Sequence, residues 1–144
     1  MQDVIEREIT VKASKERVYR AISDPEQIIT WFPDTVEGSL EVGGRATFDF
    51  GESGKAQTCV VAANPFEYFA FRWYTGTETV DDVLAAPNTL IEFHIESIGE
   101  GTKVTVRESG FASLPAEVAE SSFSDNSSGW EYMMNRLEEA MNQD

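Results

Sequence analysis

A chain of 144 residues has the length of one ordinary domain, able to bury roughly 70% of the surface that its unfolded form exposes. Its 26 acidic and 11 basic side chains leave a formal charge of -15, a surface that repels phosphate backbones and anionic headgroups and so argues against nucleic-acid binding and membrane anchoring. With 41% hydrophobic and 11% aromatic residues the composition excludes a disordered chain and supplies a core for a single domain over residues 1–144.

The charged start Met1-Gln-Asp-Val-Ile-Glu-Arg7 lacks the apolar stretch of a signal peptide, and no apolar run is long enough to span a bilayer, so a cytoplasmic location is expected. Residues 4–12 mix β-branched and charged side chains in near alternation, which predicts an opening strand with one wet face. Ser14 stands where a helix N-cap would, ahead of Val18, Ala21 and Ile22 at helical spacing. Asp24-Pro25 repeats the start signal, and Ile28, Ile29 and Phe32 supply an apolar face that runs to Pro33, predicting a second short helix.

From Val36 to Phe111 the period becomes two. Ala46, Phe48 and Phe50 alternate with Arg45, Thr47 and Asp49; Phe69, Phe71 and Trp73 with Tyr68, Ala70 and Arg72; Ile91, Phe93 and Ile95 with Glu92, His94 and Glu96; Val104 and Val106 with Thr105 and Arg107. These patterns predict half-buried antiparallel strands, six or seven in all, in a meander punctuated by Gly43-Gly44, Glu52-Ser53-Gly54, Asn64-Pro65 and Gly99-Glu100-Gly101. The longer connection is 75–88, whose acidic run 77–82 reads as solvated surface or part of a lid.

Helical period returns at the end: Trp130, Met133, Met134, Leu137 and Met141 form one apolar stripe that extends back through Asn126, Phe123 and Ala119, predicting a long helix that starts soon after Pro115. Residues 121–129 are rich in Ser, Asp, Asn and Gly, a weak helix interior. Ser128 with Glu131 also fits a capping box that would start a shorter helix there.

The order strand, two short helices, curved antiparallel sheet and long C-terminal helix resembles the α+β helix-grip architecture (the SRPBCC, or START-like, superfamily) of START lipid-transfer domains, the birch pollen allergen family and polyketide cyclases. Its motifs look most like the activator-of-heat-shock-protein-ATPase homologue branch. They are Val18-Tyr-Arg-Ala-Ile-Ser-Asp-Pro-Glu-Gln-Ile-Ile-Thr-Trp-Phe32, Val42-Gly-Gly-Arg45, Asn64-Pro65 leading to Phe71-Arg-Trp73, Gly101-Thr-Lys-Val-Thr-Val-Arg-Glu-Ser-Gly-Phe111 and Gly129-Trp130. The resemblance implies a cavity for a hydrophobic small molecule, while a shared fold leaves the chemistry to the site. In the eukaryotic activator, stimulation of the chaperone is associated with an additional N-terminal domain that this sequence does not include, so ligand binding ranks ahead of a co-chaperone role.

The parity that turns Val104 and Val106 inward turns Glu108 inward as well. A carboxyl there can act as general acid or base, or anchor a ligand's polar end; alternatively it reaches water or pairs with Arg72 or Arg107. Asn126, breaking the last helix's apolar stripe, either projects a donor and an acceptor into the cavity or caps a helix segment. Trp31, Phe48, Phe50, Phe71, Trp73, Phe93, Trp130, Met133 and Met134 fall on inward faces, as cavity lining or as plain core. His94 is expected on the wet face and Cys59 as a buried, inert thiol.

One His and one Cys build no zinc site of the usual kind, and the sequence holds no phosphate loop, serine elbow or calcium loop; no metal or cofactor is expected. Three functions compete: binding of a lipid, polyketide or similar hydrophobic small molecule by a monomer or homodimer; a cyclase- or aromatase-type enzyme using Glu108; and a co-chaperone-like module meeting a protein partner through its acidic surface.

Overall fold

The computed structural model describes residues 3–74, 76 and 78–143. β1 (Val4–Val11) leads into α1 (Lys15–Ser23) and α2 (Pro25–Ile28). Then come β2 (Thr35–Gly38), β3 (Arg45–Asp49), β4 (Lys55–Asn64), β5 (Tyr68–Tyr74), β6 (Asn88–Ile98) and β7 (Gly101–Ser109), and α3 (Ala116–Asn142) is the last element. The seven strands form one antiparallel sheet in the order β1-β7-β6-β5-β4-β3-β2. The long helix packs against β1 at one end of this sheet, the helix-grip arrangement.

The cap signals act as read. Ser14 Oγ accepts from Arg17 N at 3.2 Å, and Asp24 both ends α1, donating its backbone N–H to Arg20 O, and opens α2, its carboxylate accepting from Glu26 N at 2.9 Å. α2 is shorter than the apolar face suggested, ending at Ile28 rather than near Pro33. The Thr30 hydroxyl donates to Gln27 O, and the Trp31 indole donates to Ala21 O at 2.8 Å. Trp31 and Phe32 therefore leave helical geometry to enter the core, a tertiary preference that outweighs one more turn of a four-residue helix.

α3 is unbroken, so Ser128 and Glu131 lie inside the helix and the shorter-helix start is not realised. The polar middle is held by tertiary bonds in place of propensity: Arg7 of β1 donates to Ser127 Oγ at 2.6 Å, and Asn126 reaches a buried carboxyl described below. At the far end Arg17 donates to Met141 O, Ala140 O and Gln143 O at 3.1–3.2 Å, satisfying carbonyls that a helix C-terminus leaves without partners.

The sheet's outer face is partly covered too. A 3-10 turn at Val83–Ala85 packs over β4 and β5, where Cys59, Ala70 and Val83 are buried. Gln57 clamps this strap by donating to Glu78 O and accepting from Val80 N, and Arg45 pairs with Asp82 at 3.3 Å. The acidic run thus lies along the outer face from residue 78 onward; Thr75 and Thr77 of the same connection are outside the described residues.

Candidate functional site

Strand parity carries Glu108 to the inner face of β7, between Ile5 of β1 and Ile91 of β6 in the register. Its side chain is wholly buried. Oε1 accepts from the Trp130 indole at 2.7 Å and from Asn126 Nδ2 at 3.1 Å. Oε2 accepts from Asn126 Nδ2 at 3.0 Å and the Trp73 indole at 3.0 Å, and lies 2.5 Å from Thr89 Oγ1. Four side chains from β5, β6 and α3 thus converge on one carboxyl. Among the described residues no cation is a partner: Arg72 bonds Asn88 instead, and Arg107 is exposed on the opposite parity.

Burial pushes the Glu108 carboxyl up from its ordinary value, and the bonds from Thr89, Trp130, Trp73 and Asn126 pull it back down without cancelling the rise. Chemistry fixes where a proton would go. Indole N–H groups only donate, so Trp73 and Trp130 require acceptors on both oxygens. Thr89, whose hydroxyl donates and accepts equally well, takes the proton of the neutral acid across the 2.5 Å contact. Asn126 therefore keeps its amide nitrogen toward Glu108 in either state.

Asn126 is the link from this buried group to open space. Two clefts border it. One, of about 370 Å³, is walled by Phe50, Ser53–Ala56, Trp73, Tyr74, Gly76, Ser122 and Asp125. The other, of about 540 Å³, is walled by Phe32, Phe50, Ser53, Asp125, Gly129, Trp130, Tyr132 and Met133. They share Phe50, Ser53, Asp125 and Asn126. Both volumes lie in the range of small-molecule sites. The wall facing α3 is a tight turn between β3 and β4, in which Asp49 Oδ1 accepts from Gly51 N and Phe50 N donates to Gly54 O, both at 2.8 Å. Gly51 and Gly54 adopt φ of 68° and 100°, a backbone that other residues take only with strain.

The expected lining residues divide into two groups. Phe50, Trp73, Asn126, Trp130 and Met133 border the clefts. Trp31, Phe48, Phe71, Phe93 and Met134 are packed in the interior, each at most 2% exposed, where Trp31 meets Phe93 and Phe48 meets Phe71 edge to face. The space under the helix is thus filled with rings, and the open volume lies at its edge. Glu108 sits behind the cleft floor without lining either cleft.

Two residues of this assembly are not among the lining residues that period predicts, Phe32 being assigned to a helix face. Phe32 stacks on Trp31, Trp73 and Trp130 with centroids 5.0–6.0 Å apart, the ring that joins core to cleft. Thr89 shares the inward parity of Ile91 and Phe93, which was the signal available for it. His94 is exposed on the outer face beside Glu92, 3.9 Å away, and Cys59 is buried under the strap. Among the described residues no group of three or more His, Cys, Asp or Glu is gathered to hold a metal, and no helix is long and apolar enough to cross a membrane.

The family model for the "activator of Hsp90 ATPase homolog 1-like protein" matches residues 12–142. No curated protein matches the chain. Among solved structures, DynU16, of the dynemicin biosynthetic locus, is similar over 96% of this chain with TM-score 0.77 and 21% identity; the chain spans 47% of that protein's length. MLL2253 from Mesorhizobium loti is similar over 94% of each chain, with TM-score 0.76 and 18% identity. The Aha1 dimer from Colwellia psychrerythraea is similar over 98% of this chain and 97% of its own, with TM-score 0.74 and 20% identity. At such identities the likeness is one of fold.

Proposed function

The chain belongs to the family of activator of Hsp90 ATPase homolog 1-like proteins, and from that premise we propose that it binds a hydrophobic small molecule in the paired clefts between the 50–54 turn and α3. The observation that carries the reading is the position of Asn126: it borders both clefts beside the aromatic side chains of Phe50, Trp73 and Trp130 and is itself bonded to the buried Glu108. Apolar walls with a few fixed polar groups are what small-molecule sites use for affinity and orientation.

Glu108 acts in this reading as a positioning residue. Every one of its partners already bonds it, and the clefts meet it only through Asn126, Trp73 and Trp130, so proton transfer to a bound molecule ranks second. A co-chaperone role would use the acidic exterior and would not depend on Asn126; a homodimer, as named for the Colwellia protein, is compatible with either.

The test is mass spectrometry of the purified protein under native and then denaturing conditions, followed by titration with lipid, polyketide and terpenoid probes. A defined co-purifying mass, or saturable binding weakened by Met133→Asp at the cleft wall, is the expected result. A protein that emerges empty and binds none of the three classes overturns the proposal.

A further inference from the structure

The clefts offer more than apolar walls, because the polar atom at their shared floor has a definite sign. Asn126 turns its amide nitrogen to both oxygens of Glu108 at 3.0–3.1 Å; the reverse orientation would set Oδ1 against two carboxyl oxygens that already serve as acceptors. Oδ1 accepts no hydrogen bond from the described residues, and none of their buried side-chain oxygens or nitrogens lacks a partner. The atom is therefore reached by solvent, and both clefts, as the described residues line them, border Asn126. Glu108 so converts an ambivalent amide into a fixed acceptor.

Resting on the cleft-binding reading above, we infer that the ligand is a neutral, planar aromatic molecule whose hydroxyl or N–H donates to Asn126 Oδ1. The rings support planarity: Phe32, Trp73 and Trp130 lie within 20–29° of one another in plane and all three border a cleft, while Phe50 stands edge-on to Phe32 at 73° as a side wall. The charges support neutrality. Asp125 lies on the rim of both clefts, against a single cationic side chain, Lys55, in one of them, on a chain of net charge -15. A carboxylate or carbonyl at the floor would meet an acceptor in place of a donor, and a ligand without a donor would strip water from Oδ1 and return nothing.

The experiment is calorimetric titration of the full chain with 1-naphthol, 1-methoxynaphthalene and 1-naphthoate, which share a ring system and differ in the group offered to Asn126. We expect 1-naphthol to bind about tenfold more tightly than its methyl ether, the effect of one hydrogen bond, with naphthoate the weakest. In Asn126→Ala, checked for retained helicity, naphthol should lose affinity and its preference over the ether should vanish, the ether no longer having to strip water from Oδ1. Equal binding of naphthol and ether, or tightest binding of naphthoate with Lys55 as the anchor, overturns the donor inference and leaves the cleft reading intact. Failure of all three probes to bind overturns the inference of an aromatic ligand, whereas the cleft reading is overturned only if the lipid, polyketide and terpenoid probes fail as well.

Discussion

Trp130 on α3 gives its indole N–H to Glu108 on β7 across 2.7 Å, joining the middle of the long helix to the inner face of the sheet through a carboxyl with no exposure. The bond has two consequences. It pins the helix at the level of the clefts, and it makes an ionisable group part of the packing between the two layers.

Truncation of that group is costly. In Glu108→Ala two indole N–H groups and an amide lose their acceptor at once, and the Thr89 hydroxyl loses its partner. Buried donors left unpaired cost about 1–3 kcal/mol each, partly offset where water enters. The variant should lose at least ~3 kcal/mol of unfolding free energy in urea titration at neutral pH. A loss under ~1 kcal/mol would mean that the network contributes little.

The pH dependence has a defined sign. Glu108 is raised above its ordinary value in the folded protein, so between the unfolded and folded values the native state holds a proton that the unfolded chain has released. Stability attributable to this group is full below the ordinary glutamate range and falls as pH rises through the raised value. Glu108→Gln lacks this term. The stability difference, variant minus wild type, should therefore grow more favourable to the variant from pH 4 upward and level off above the raised value. A difference that is flat or falls with pH would contradict the assignment.

Much of this site was legible in the sequence, through period alone. The alternation Val104, Val106, Glu108 put the carboxyl inside, the same rule put Trp73 on that face, and the 3.6-residue stripe put Asn126 and Trp130 in line on α3. What period could not supply was depth. Trp31, Phe48, Phe71 and Phe93 share inward parity with Phe50 and Trp73, yet ring-on-ring packing fills the space around the first four and leaves the clefts to the other two. Phe32 was hidden for another reason: assigned to a helix face, it leaves α2 and turns inward beside Trp31. The 75–88 connection reads as solvated surface or lid, and its cover on the sheet's outer face from residue 78 onward was not legible because a strand covered on both faces, such as β5 at Ala70, still alternates in size.

Gly129 lies in the interior of α3, and a methyl group added there would meet nothing within 4 Å. Gly129→Ala should stabilise the protein by about 0.5–1 kcal/mol through the usual helix preference, read as a shift of the urea midpoint at unchanged slope. A loss of stability would show that the helix needs the glycine's backbone freedom.

Arg17 closes the C-terminus of α3 with three carbonyl contacts. Arg17→Ala should cost about 1–2 kcal/mol and raise hydrogen exchange in the last turn of α3 while the amides of β5–β7 keep their protection. Uniformly faster exchange across the sheet would point to a global rather than a capping role.

The measurement that bears most directly on the cleft is a titration of the nitrogen-15-labelled protein with 1-naphthol, following the indole N–H resonances of its three tryptophans. Trp73 and Trp130 stand at the clefts, whereas Trp31 donates to Ala21 O deep in the core. The account predicts saturable shifts of the Trp73 and Trp130 signals with that of Trp31 nearly still. Shifts confined to Trp31, or none at all at saturating probe, would contradict it.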